Sequence, residues 1–218
     1  MAKPRALLAA LLLALVLGGC ARKQRAQRIP PPVRVGYTET GLASWYGHPY
    51  HGRRAADGEI YDMEQMTAAH RTLPFNTWIR VQNLDNQRTA DVRIIDRGPF
   101  VDGRILDVSR AAARSLQFLG PGTARVRFEV IRLPDNPEPA LFAVQVGAFQ
   151  DRRNAERLRR RMEKQYGTAR LCRRDGTPSL WRVLVGSEPS ESAAGELANR
   201  IRRDSHENTA FVVRLDTV

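Results

Sequence analysis

Three prolines within six residues, in Leu133-Pro134-Asp135-Asn136-Pro137-Glu138-Pro139, split the chain into two differently patterned parts. Proline fixes φ and lacks an amide donor, so neither a helix nor a strand continues through such a segment. Ahead of it, the pattern is one of short strands. Trp78 to Gln82 and Arg88 to Ile95 alternate apolar and polar residues around the turn-rich Asn83-Leu84-Asp85-Asn86-Gln87, which predicts an antiparallel pair. Gly41 to Gly47 reads as a strand with glycines at both ends, and Ala124 to Leu133 as a closing strand. Arg110 to Leu116 reads as a short helix with Ser109 as its N-cap. Many short strands, one helix and glycine-rich turns predict a small, mainly β barrel over residues 41–133.

Past the prolines, residues 141–216 follow another rhythm. Phe142 to Gly147 is a strand, and Asn154 to Tyr166 a helix with Ala155, Leu158, Met162 and Tyr166 on one face. Strands over Ala169 to Cys172 and Trp181 to Val185, a helix over Ser192 to Ile201 and a strand over Ala210 to Leu215 complete the series. The order β-α-β-β-α-β predicts a small α+β domain of the ferredoxin-like, split βαβ kind. Residues 134–140 are the linker.

The N-terminus reads as an address. Lys3 and Arg5 precede an apolar run from Ala6 to Leu17, which has the length of a signal-peptide core and is short for a bilayer span. Leu17-Gly18-Gly19-Cys20 resembles the bacterial lipobox. That resemblance implies removal of residues 1–19, lipidation of Cys20 and stable membrane anchoring. Ala21 after the cysteine implies sorting to the outer membrane of a Gram-negative cell. Residues 20–40, basic and carrying Pro30-Pro31-Pro32, read as a tether. The other cysteine is Cys172, so no disulfide framework is expected. The formal net charge of +12 comes without the aromatic platform of a single-strand binder. A polyanionic envelope is therefore the expected counter-surface, and no nucleic acid.

Candidate chemistry lies in three stretches of the first domain. They are Gly58-Glu59-Ile60-Tyr61-Asp62, Thr67-Ala68-Ala69-His70 and Asp96-Arg97-Gly98-Pro99-Phe100. Carboxylates and an imidazole supply general acid–base chemistry and call for no metal or cofactor. Glu59 and Asp62 are three apart, close enough to share a helical turn or face each other across a loop. Asp96 ends an apolar strand, and the turn after it aims its side chain out of the barrel end.

With Gly41-Leu42-Ala43-Ser44-Trp45-Tyr46-Gly47, Val81-Gln82-Asn83-Leu84 and Gly103-Arg104-Ile105-Leu106-Asp107-Val108-Ser109, these stretches form six ordered motifs. The run resembles the double-psi β-barrel of the rare lipoprotein A family of septal-ring lytic transglycosylases. The second domain, opening Phe142-Ala143-Val144-Gln145-Val146-Gly147-Ala148-Phe149, resembles a SPOR domain. The resemblance implies non-hydrolytic cleavage of the β-1,4 bond between N-acetylmuramic acid and N-acetylglucosamine, leaving 1,6-anhydro ends. It implies a site of Glu59, Asp62, His70 and Asp96, with either Asp96 or Glu59 transferring the proton. Tyr46 is then a sugar-stacking candidate, and Trp45 either that or core. The SPOR resemblance implies binding of peptide-stripped (denuded) glycan strands on the sheet face, with Gln145, Phe149 and Trp181 as contacts. The expected setting is the periplasm at the division septum, with amidase or divisome proteins as neighbours. The rival is a non-catalytic wall binder that grips glycan as expansin-like barrels do. Two positions depart from the family pattern: Ala55 stands where threonine is usual, and Ile95 where asparagine precedes the aspartate.

Overall fold

A computed structural model of the chain describes residues 33–135, 140–174, 178–205 and 209–215. The expected signal segment, Cys20 and most of the tether lie outside the described residues, as does most of the proline segment.

Strands β1 (Thr38–Tyr46), β2 (Thr67–Ala69), β3 (Trp78–Asn83), β4 (Thr89–Asp96), β5 (Arg104–Ser109) and β6 (Thr123–Arg132) close into a barrel in the order β1-β5-β2-β4-β3-β6. β1 runs parallel to β5 and β2 parallel to β4, while the other pairings are antiparallel. Closure gives every barrel strand a partner on both sides over at least part of its length. The period-two pattern decides which side chains fill the barrel. In β6, Ala124, Val126, Phe128 and Val130 are buried and meet Ile79, Val81, Ile94, Leu106 and Val108, while Arg125, Arg127 and Glu129 face out. Each large apolar side chain buried in this way contributes roughly 1.5–3 kcal/mol.

The β3–β4 hairpin is the predicted antiparallel pair, with Trp78 opposite Arg93 and Gln82 opposite Thr89. Its turn is fastened to the short helix α1 (Arg110–Ser115), because Asn83 and Asn86 both donate to the Leu116 carbonyl. Ser109 is the N-cap of α1 and accepts from the Ala112 amide at 3.2 Å.

In the second domain a sheet of order β10-β7-β9-β8 is built from β7 (Leu141–Phe149), β8 (Ala169–Arg174), β9 (Leu180–Glu188) and β10 (Phe211–Leu215). Helices α2 (Arg152–Tyr166) and α3 (Glu191–Ser205) cover one face, giving the predicted β-α-β-β-α-β order. Asp151 caps α2, accepting from the Arg153 and Asn154 amides, and Gly167 ends it at φ 89°. The sheet's other face turns to the barrel. Ala143, Leu184 and Val213 form an apolar cluster there with Phe100 of the first domain. The Arg182 guanidinium lies over the Phe100 ring at 4.7 Å, and the Arg214 amide donates to the Arg71 carbonyl at 3.1 Å.

Candidate active site

The site is built where β4 runs out under the long β1–β2 connection. Ile94 is the last inward residue of β4, yet Ile95 and Asp96 are buried as well, because that connection folds across the barrel end. The Asp57 amide donates to the Ile95 carbonyl at 3.1 Å, and Ile95 packs with Ala55, Tyr61, Met63 and Tyr46. The position where the family pattern has asparagine therefore sits in an apolar cluster that roots the loop.

Asp96 is held by the main chain. Its Oδ1 accepts from the Arg97 amide at 2.7 Å and the Ala56 amide at 3.2 Å. Its own carbonyl accepts from the His70 amide at 3.1 Å. Arg97 locks the same corner: Nη1 donates to the His70 and Leu73 carbonyls, and the guanidinium stacks over Phe75 at 3.7 Å. The remaining contact comes from the second domain. Arg174 Nη2 lies 3.0 Å from Asp96 Oδ2 and 3.2 Å from Oδ1, and its Nη1 donates to the Arg97 carbonyl.

Beside Asp96 is a cavity of about 110 Å³, whose walls include Tyr46, Arg53, Ala55 and Tyr61 from the barrel and Arg174 from the second domain. Tyr46 and Tyr61 stack with centroids 4.3 Å apart, and Tyr61 Oη donates to the Tyr46 carbonyl at 2.6 Å. Burial pushes the Tyr46 hydroxyl well above the usual tyrosine pKa, so it stays protonated.

The structure brings Asp96 and Tyr46 together at this cavity, while Glu59, Asp62 and His70 do not line it. Glu59 is exposed and makes a two-pronged pair with Arg93, at 2.8 and 2.7 Å. The Arg93 hydrogen bonds hold its carboxyl below the usual range, so it remains ionised at neutral pH. Asp62 accepts from the Glu64 amide and lies 3.6 Å from His51 Nδ1. His70 is buried: Nδ1 accepts from the Thr72 and Leu73 amides, which assigns the proton to Nε2, 3.3 Å from Glu39 Oε2.

Trp45 packs on the barrel core and donates Nε1 to the Leu119 carbonyl, which decides between core and sugar platform in favour of core. In the second domain the three expected glycan contacts do not share a face. Phe149 and Trp181 pair across strands on the helix-covered side, with Arg152 and Arg173 over Trp181. Gln145 is buried on the opposite side, toward the barrel, where Oε1 accepts from Arg182 Nε.

Two residues near Asp96, Asp107 and Arg174, were not among the expected set. Asp107 of β5 accepts from Ser44 Oγ, and burial raises its pKa, with the Asp96 charge adding to the rise. Its signal was present in the sequence, as a charge between the inward Leu106 and Val108. Arg174 had no such signal, since it lies 78 residues from Asp96 and in another domain.

A closed six-stranded double-psi barrel with a carboxylate at its end, followed by a four-stranded sheet with two helices on one face, defines a two-domain protein of the double-psi barrel class. A lytic transglycolase family model matches residues 38–128, and a SPOR domain model matches residues 138–214. The chain is 53% identical over 185 residues to the endolytic peptidoglycan transglycosylase RlpA of Vibrio cholerae, covering 81% of this chain and 69% of that one. It is 36% identical over 194 residues to the protein of the same name from Campylobacter jejuni, covering 78% of this chain and 70% of that one. The chain belongs to the RlpA family.

Proposed function

We propose that the chain is a lytic transglycosylase acting on denuded glycan strands, with Asp96 as the proton-transfer group. One observation carries this reading. Two backbone amides occupy Asp96 Oδ1, which leaves Oδ2 as the oxygen turned to the cavity and the second domain. In the reaction, Asp96 protonates the glycosidic oxygen as its bond to the muramic anomeric carbon breaks. The muramic C6 hydroxyl oxygen bonds to that carbon, and Asp96 then takes the hydroxyl proton. The carboxyl group ends as it began, and no water is consumed. A single carboxyl suffices, since the internal hydroxyl replaces both the enzymic nucleophile and the water of a hydrolase. Glu59, Asp62 and His70 act as positioning residues: Glu59 fixes the loop through Arg93, and His70 fixes the β2 end against Asp96. A lipid on Cys20 would hold the enzyme on the periplasmic side of the outer membrane, and the SPOR domain would enrich it at septa, beside the amidases that strip the strands.

The rival reading, a non-catalytic glycan binder, is favoured by the ion pair that occupies Asp96 Oδ2. Digestion of amidase-treated sacculi with the full chain separates the two. Transglycosylation gives 1,6-anhydromuramic ends that are lost in Asp96→Asn. Strand binding without such ends selects the binder.

A further inference from the structure

The cavity beside Asp96 carries a chemistry that proton transfer alone does not use. Its volume of about 110 Å³ is ample for a small substituent of a glycan. Tyr46 and Arg53 line the cavity, and Tyr46 Oη and Arg53 Nη1 are buried with no hydrogen-bond partner among the described residues. Arg54 lines the same cavity and donates Nη1 to the Gly58 carbonyl at 2.6 Å. Arg174 completes a set of three guanidinium groups against one carboxylate, Asp96, among the lining residues. Buried polar groups in folded proteins are nearly always partnered. A guanidinium N–H beside a hydroxyl, in a cationic cavity of this size, is matched by a small anionic group with more than one acceptor oxygen.

We infer that Arg53, Arg174 and Tyr46 form a subsite for a free carboxylate on the substrate, and that this is the lactyl carboxylate of the muramic residue. The inference rests on the reading of the substrate as denuded glycan. In a strand that bears stem peptides the lactyl carboxyl is tied up as an amide, whereas stripping leaves it as a carboxylate. Asp96 Oδ2 has Arg174 as its one partner among the described residues. An incoming carboxylate takes Arg174 over and leaves Oδ2 open to the glycosidic oxygen. One arginine thereby couples recognition of the stripped strand to release of the acid. Arg174 belongs to β8 and Asp96 to β4, so the coupling passes between the domains.

The test compares denuded strands having free lactyl carboxylates with the same strands converted to lactyl methylamides, which lose the charge and carry an amide as a stem peptide would. The full chain is expected to cleave the free-acid strands about tenfold faster, as the loss of one charge-assisted contact implies. Arg53→Gln is expected to lower cleavage of the acid strands to the methylamide rate. Arg174→Gln is expected to abolish the preference and to raise the methylamide rate above that of the parent. Equal parental rates on the two strands, or a full preference in both variants, overturn the inference. Binding of both strands to Asp96→Asn protein, with and without Arg53→Gln, reads the same discrimination without turnover. Absent cleavage with a binding preference that depends on Arg53 therefore retires the enzymatic reading and keeps the subsite. Absent preference in both measurements retires the subsite.

Discussion

Asp96 and Glu59 belong to one barrel and carry the same functional group, yet the fold treats them oppositely. Glu59 stands on an exposed loop with both oxygens spent on a single arginine, Arg93. Asp96 is 6% exposed, anchored through one oxygen by the main chain, with its other oxygen at a cavity. The first arrangement steadies a loop and keeps a charge ionised. The second fixes one oxygen through the main chain and turns the other to a cavity, where Arg174 of the second domain pairs with it. On the proposed mechanism, what suits Asp96 to proton transfer is which of its oxygens the scaffold has taken, more than its place in a motif.

The largest expected effect breaks this comparison at its stronger side. Asp96→Asn should lower formation of 1,6-anhydro ends by about 10²–10⁴-fold, the range for a general acid–base group, with an unchanged far-ultraviolet circular dichroism spectrum. Ile95→Asn restores the family's usual residue but puts an amide among Ala55, Tyr61 and Met63. It should destabilise the protein by about 1–3 kcal/mol in urea unfolding and give no gain in cleavage.

Asp107→Asn probes the acid that the sequence reading left out. Burial raises the folded-state pKa of Asp107 above the unfolded value near 3.9, so folding favours its protonated form. Its contribution to stability is full below the unfolded pKa and is lost as pH rises through the folded one. Asp107→Asn should therefore melt higher than the parent at pH 7, with the gap closing toward pH 4 in thermal scans. The smallest effect is expected at the weaker side of the comparison. Glu59→Gln should cost less than about 1 kcal/mol, as an exposed pair does, and keep cleavage within about tenfold of the parent. A loss as deep as that of Asp96→Asn would place Glu59 in the chemistry and end the distinction.

Much of the fold was legible because it rests on local patterns. Alternation in β3, β4 and β6 marked the barrel strands, Ser109 marked the start of α1, and the apolar stripe of Ala155, Leu158 and Met162 marked α2. At the candidate site, Asp96 was legible as the charge that ends an apolar strand. Its surroundings were not. The Ala56 amide and Arg174 lie 40 and 78 residues from it, and no periodicity encodes contacts that long loops and domain packing create. Spacing also suggested that Glu59 and Asp62 share a helical turn or face each other across a loop, whereas each has a separate neighbour, Arg93 for Glu59 and the His51 ring for Asp62. The sheet-face expectation for Gln145, Phe149 and Trp181 met a similar obstacle. Register shifts in β7, between Phe142 and Val144 and between Gln145 and Gly147, break the simple alternation from which a shared face is read.

The most direct test of the account is a digest of denuded glycan strands in water enriched in heavy oxygen, followed by mass spectrometry of the new ends. The account predicts 1,6-anhydromuramic ends without heavy oxygen from the parent, and their loss in Asp96→Asn. Reducing ends that carry heavy oxygen, or undiminished anhydro ends from Asp96→Asn, would contradict it.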